Sequence, residues 1–201
     1  EEQFIRDATQ VFLTYGIKSV TMDDMARHLR MSKKTIYQYV KDKSELVVRC
    51  VQGDYENLYA RVEAVIEKNL DAIDENFEIF GIILSELGNI HPSIFYDLEK
   101  YYPEAKSKML DMRQDFIVDV VRKNLLKGIN EGLYRDDFDV EIMTRLWVMR
   151  ILLIFNPSLF SLNDFLPQDV YREMSIHHIR GIASAEGLRK LDKHLKNKHK
   201  N

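Results

Sequence analysis

Apolar residues in this 201-residue chain return every three or four positions almost from end to end, and nowhere do they alternate long enough to mark a strand. That period puts them on one face of a helix, so the chain is restricted to an all-α fold. Phe4, Ile5, Ala8, Val11 and Phe12 share one face of a first helix, which Tyr15-Gly16 closes. Thr21 starts a second, with Asp24 three residues on as the reciprocal half of a capping box and Met25, Ala26 and Leu29 on the inner face. Ser32 is expected to cap a third helix through Tyr39. Asp42, with Glu45 three on, opens a long fourth towards residue 69. Further amphipathic helices are expected over about 72–87, 93–100, 103–131, 139–155, 167–184 and 186–197.

With 45% hydrophobic residues and only 8 Gly and 4 Pro, the chain can bury a sizeable core, which excludes a disordered or linker-rich architecture. A single thiol, Cys50, makes neither an internal disulfide nor a metal cluster, and a reducing cytoplasm is the expected compartment. The opening Glu1-Glu2-Gln3 has no basic run and no apolar signal core. Without an initiator Met, the numbering is not taken to begin at the natural start. The most apolar stretch, Leu146 to Phe155, is interrupted by Arg150 and is shorter than the ~20 residues of a spanning helix, so no membrane partner is expected.

The net charge of −3 is unevenly spread. Residues 1–50 carry nine basic and seven acidic side chains, whereas residues 51–201 carry 20 basic against 25 acidic. Between Arg27 and Arg49 seven basic residues face only Asp42 and Glu45, a local +5. A basic island on an acidic chain is a candidate footprint for a polyanion.

The second and third helices, joined by the short Arg30-Met31 turn, make a helix-turn-helix arrangement locked by Met25, Ala26, Leu29, Met31 and Ile36. Lys33 and Lys34 stand in the first turn of the third helix and Lys43 in that of the fourth, where a cation opposes the helix dipole. Such placements make sense when an anion completes the site. Thr35, Tyr37, Gln38 and Tyr39 add hydroxyl, phenol and amide groups that can reach phosphates or base edges.

These residues carry a family resemblance. The run from Ala8 and Phe12 through Tyr15-Gly16 and Ser19 to Ala26, then Ser32 to Leu46 with its Thr-Ile-Tyr, Tyr-Val and Lys-Ser-Glu-Leu stretches, resembles the amino-terminal DNA-binding domain of TetR-family transcriptional regulators. The resemblance implies that Thr21 anchors the second helix against a phosphate. It places Lys33, Lys34, Thr35, Gln38 and Tyr39 towards the groove, with Tyr37 and Lys43 on the backbone. Arg30 departs from the glycine usual in that turn, and Lys34 and Val40 depart more mildly. The chain is thus divided into a helix-turn-helix domain over 1–46 and a helical effector-binding and dimerisation domain over 47–201. The resemblance is close over about the first quarter of the chain, with a trace in Gly128 to Asp137, similar to the family's loop between two long helices.

The helix from about Asp139 is apolar nearly all round and needs cover on every side. It is expected to pair, with the helix after it, against a second copy of the chain, with Leu152, Phe155, Met174 and Ile182 at the interface. A two-fold homodimer reads paired half-sites, so its partner is expected to be a palindromic double-stranded operator. A small hydrophobic effector is expected against Phe80, Leu84, Met109, Met112, Arg113, Phe116 and Trp147. By resemblance it releases the repressor from DNA by moving the long fourth helix. A carboxy-terminal domain that binds a protein partner instead is the alternative. No catalytic residue, metal site or cofactor is expected. There is no Walker loop, His-Glu-x-x-His or Gly-x-Ser-x-Gly, and the adjacent His177 and His178 point about 100° apart on a helix.

Overall fold

The computed structural model describes residues 1–154, 156, 158–161 and 164–198, with the side chains of 113, 114, 152, 197 and 198 outside that description. Phe155, and the side chains of Arg113 and Leu152, therefore lie outside the described residues. The described residues form ten helices: α1 (Glu2–Tyr15), α2 (Met22–His28), α3 (Lys33–Ile36), α4 (Lys43–Ile66), α5 (Ala72–Asn89), α6 (Ile94–Tyr101), α7 (Pro103–Asn130), α8 (Val140–Leu153), α9 (Pro167–Ile182) and α10 (Ala185–Lys198). None is long and apolar enough to cross a membrane.

Two compact units are distinguished, Glu1–Ala60 with Asn89–Arg113, and Arg61–Gly88 with Gln114–Asn201. The first extends beyond residues 1–46. Ile94 and Leu98 of α6, with Ala105 and Met109 of α7, share one apolar cluster with Phe4, Phe12, Met25, Ile36 and Leu46. Cys50 is buried in this cluster, which pushes its thiol up to about 12 and leaves it unreactive at neutral pH.

In this first unit, α6 is tied to the turn after α1. Gly16, at φ 82, ends α1 with its amide on the Phe12 carbonyl, and the side chains of His91 and Ser93 occupy the space a Cβ would need. The buried Asp97 accepts the Lys18 amide at 2.9 Å and the Ser93 hydroxyl at 3.1 Å.

The second unit packs Ile73, Phe77, Phe80, Leu125, Trp147, Tyr171 and Ile182 around a small polar network. The buried Asn124 donates to the Ala72 carbonyl at 2.9 Å and to Glu75 at 2.8 Å, while Lys127 pairs with Glu75 at 2.7 Å. The buried Asn124 and Glu75 are thereby partnered, as burial requires. Residues 131–139 connect α7 to α8, so Gly128 itself lies in the last turn of α7. Gly132 turns at φ 71, and Tyr134 forms an isolated bridge with Ala183.

On α8 the apolar residues part into two faces. Trp147 and Ile154 are buried, while Ile142 (59% exposed), Leu146 (47%), Met149 (56%) and Leu153 (39%) form a stripe at steps of four, three and four. Ile182, expected at a dimer interface, is only 2% exposed because it packs in its own chain's core, and Met174 packs half-buried against that core.

His178 lies buried on α9 with its ring stacked on Trp147, centroids 4.3 Å apart. Burial, helped by the charge of Arg150 and by His177, pushes its imidazole down from an ordinary 6.5 to about 4. Between those values the unfolded chain binds a proton that the folded one refuses. Stability is therefore full above pH 6.5 and falls as pH drops towards 4. Replacing His178 with Phe, which keeps the stack, is expected to flatten the urea midpoint across that window. An unchanged slope would show that the folded imidazole accepts the proton.

Candidate nucleic-acid interface

The second helix begins as its capping residues dictate. The Asp24 amide donates to the Thr21 hydroxyl at 3.1 Å, and the Thr21 amide donates back to the Asp24 carboxylate at 2.9 Å. The Thr21 hydroxyl also donates to that carboxylate at 2.6 Å, and Arg27 pairs with it one turn on. The bonds from Thr21 and Arg27 hold the Asp24 carboxyl at about 2.

The end of α2 is a Schellman motif. The Met31 amide reaches the Ala26 carbonyl at 3.0 Å, the Arg30 amide reaches that of Arg27 at 3.2 Å, and Met31 and Ala26 are near one another. The motif needs a left-handed residue between them, and Arg30 takes it at φ 53. A side chain in that region is costly, which is why glycine is common there. Arg30 is exposed beside Asp23, Ala26, Arg27 and Met31 around a shallow concavity of about 440 Å³.

Ser32 caps α3 by accepting the Thr35 amide at 3.0 Å. The α-helical stretch ends at Ile36, short of the expected Tyr39. Gln38 and Tyr39 instead make tighter bonds three residues back, to Thr35 and Ile36. Ile36 is fully buried and anchors this rod to the core, leaving Lys34, Tyr37 and Gln38 exposed.

The anticipated DNA-facing side chains differ in their freedom. Lys34, Tyr37 and Gln38 are open to solvent, and Thr35 is half-buried next to its cap. Lys33 is exposed, but its ammonium meets Asp23 at 3.0 Å, a bond that raises its pKa. An exposed pair of this kind is weak and yields to a phosphate. Tyr39 is half-buried, its ring stacked on Phe4 at 5.0 Å. Lys43 turns partly inward, 6.0 Å from the Phe12 ring centre and 5.9 Å from that of Tyr102, and burial lowers its pKa. Arg30, the departure from the family's usual glycine, both takes the positive φ and stands exposed, as Arg27 does, on the rim of the same concavity.

The residues expected against an effector separate. Phe80 and Trp147 are buried in the second unit's core with Leu84 packed against them, Met109 belongs to the first unit's core, and Met112 and Phe116 are half-buried.

A capped helix, a left-handed turn and a short rod with exposed cations and polar groups define a helix-turn-helix DNA-binding protein. Residues 4–50 match the family described as bacterial regulatory proteins, tetR family. The repressor KstR2 of Mycobacterium tuberculosis is 22% identical over 145 residues, 69% of this chain and 70% of that protein. A transcriptional regulator from Cytophaga hutchinsonii superposes with a TM-score of 0.73 at 18% identity, over 91% of this chain and 98% of that one. A putative regulator from Saccharomonospora viridis, solved in complex with choline, gives 0.71 at 13% identity, over 90% and 96%. Over residues 4–50 the chain is thus similar to TetR-family regulators, and over about two thirds of its length to a transcriptional repressor.

Arg30→Gly separates the two consequences of the turn. Removing the left-handed strain is expected to stabilise the fold by about 1 kcal/mol, read as a higher urea midpoint. Loss of the cation is expected to weaken DNA binding in the same preparation. A fall in stability would show that Arg30 makes a compensating contact.

Proposed function

We propose that this protein is a homodimeric repressor that binds a palindromic operator and is released from it by a small hydrophobic effector. The observation that carries this reading is the exposed rod of α3, with Lys34, Tyr37 and Gln38 displayed beyond the Arg30 turn. Residues 1–46 supply the reading head, with Thr21, Lys33, Lys34, Thr35, Tyr37, Gln38, Tyr39 and Lys43 as its contacts; residues 47–201 carry effector binding and dimerisation. Free ammonium and polar groups on a helix-turn-helix rod fit phosphates and base edges of a major groove. The Lys33–Asp23 pair opens on contact, and Lys43 grips the backbone from the start of α4.

Dimerisation is supported by the α8 stripe of Ile142, Leu146, Met149 and Leu153, an apolar face on a helix whose other face is already covered. A two-fold pairing of this stripe would cover it and set two reading heads on paired half-sites. The effector reading is supported by the aromatic cluster of Phe80, Trp147 and Tyr171 in the second unit, and by the choline-bound relative. An effector acts by binding the DNA-incompetent arrangement more tightly than the competent one.

Tyr37→Ala and Lys34→Ala are each expected to lower affinity for a duplex selected from genomic DNA by about tenfold or more, at an unchanged thermal midpoint. Gel-shift titration reads this, and two unaltered variants would remove α3 as the reading element. The double variant Leu146→Asp, Met149→Asp is expected to sediment as a monomer where the wild type is a dimer. A dimer that survives both charges places the interface elsewhere.

A further inference from the structure

The first unit carries a cluster of cations and phenols outside the helix-turn-helix. On α6, the Lys100 ammonium donates to the Tyr96 phenol oxygen at 2.7 Å and stands 5.2 Å from that ring's centre and 5.5 Å from that of Tyr101. Lys18, three residues before the α2 cap, donates to the Tyr101 oxygen at 2.6 Å and lies 4.4 Å from the ring centre. The two rings meet edge to face at 6.3 Å. All four residues are exposed, Tyr96 by 53% and Tyr101 by 37%.

Neither ammonium has a carboxylate within ion-pairing distance among the described residues. The nearby acids are otherwise engaged. Asp97 is buried and accepts the Lys18 amide and the Ser93 hydroxyl, while Glu99 pairs with Lys106 at 3.1 Å. Each phenol accepts from an ammonium, so its own O–H remains free to donate and is polarised towards an anion. The Tyr101 phenol is accordingly held below its ordinary value, first by the Lys18 bond and then by the charge of Lys100.

The cluster is continuous with the reading head. The Lys43 ammonium, in the first turn of α4, bonds the Lys18 carbonyl at 3.5 Å and lies 5.9 Å from the ring centre of Tyr102, the residue after Tyr101. Lys100, Lys18 and Lys43 thus lead along one edge towards the elements that address DNA. We propose that Lys18 and Lys100, with the phenols of Tyr96 and Tyr101, form a second, sequence-independent contact on backbone phosphates of duplex DNA flanking the site read by α3. The proposal rests on the DNA-binding reading above and adds α6 to its footprint.

The test uses the full chain and a labelled mixed-sequence duplex of about 30 bp, titrated by anisotropy between about 50 and 200 mM salt. Each lost phosphate contact should reduce the slope of log K against log salt by about 0.9. Lys18→Gln with Lys100→Gln is expected to reduce it by about 1.8 per chain, and Lys34→Gln, on the reading head, by about 0.9. Lys100→Gln alone keeps the Lys18–Tyr101 bond to the α1–α2 turn, so its loss of slope is read in an intact fold. Tyr101→Phe is expected to weaken binding at every salt concentration without changing the slope, because a phenol releases no counterion. If Lys34→Gln lowers the slope while the Lys18 and Lys100 variants leave it unchanged, the α6 contact is overturned and the reading head stands. If no variant moves the slope, DNA binding through this unit fails altogether.

Discussion

The left-handed turn at Arg30 is the constraint on which the reading head depends. Two backbone bonds, Met31 to Ala26 and Arg30 to Arg27, end α2 and set the direction in which α3 departs. With Met25 and Ile36 both fully buried, the two helices have one way to pack, and the residues that remain outside are chosen by that packing. The geometry requires positive φ at one position, and the chain fills it with a cation rather than with glycine. A strained residue at a functional edge trades local stability for a charge where an anionic partner arrives.

That head is held from a second direction. Asp97 is buried on α6 and takes the Lys18 amide, 79 positions away in sequence, just before the α2 cap. His91 donates its amide to the Leu13 carbonyl at 2.8 Å, and Ser93 links the His91 ring to Asp97. The start of α2 is therefore positioned by its own capping box and by a carboxylate from α6. Part-buried hydrogen bonds thus tie α6 and the residues before it to the end of α1 and the approach to α2 within this unit.

What the sequence revealed follows the range of each interaction. Caps act over three residues, so Thr21 with Asp24 and Ser32 with Thr35 were legible, as was the all-round apolar character of α8. The length of α3 was not, because Gln38 and Tyr39 bond three residues back instead of four, a difference that periodicity over a few residues does not resolve. The Lys33–Asp23 pair joins two helices ten residues apart, and no local pattern forecasts it. Ile182 illustrates the same limit for packing. A helix such as α9 carries apolar residues that belong to the chain's own core, and sequence alone does not separate them from residues awaiting a partner. Asp97 and Tyr101 carry no local sign of their roles, since both meet Lys18, 79 and 83 positions away in sequence.

Charge makes the same point about scale. A net −3 describes a chain as seen from far away, yet salt at physiological strength screens charges beyond about 8–10 Å. A phosphate at α3 meets the exposed Arg30 and Lys34, and acids of the second unit, for their part, have partners of their own in Lys127, Lys190 and Arg122. Among the described residues of the reading head, Arg27 and Lys33 are paired with acids of α2, whereas Lys34 has no such partner. The electrostatic signature of the interface is thus the location of cations that the fold leaves uncompensated. An acidic protein can present such cations to DNA as effectively as a basic one, provided its own carboxylates are engaged elsewhere.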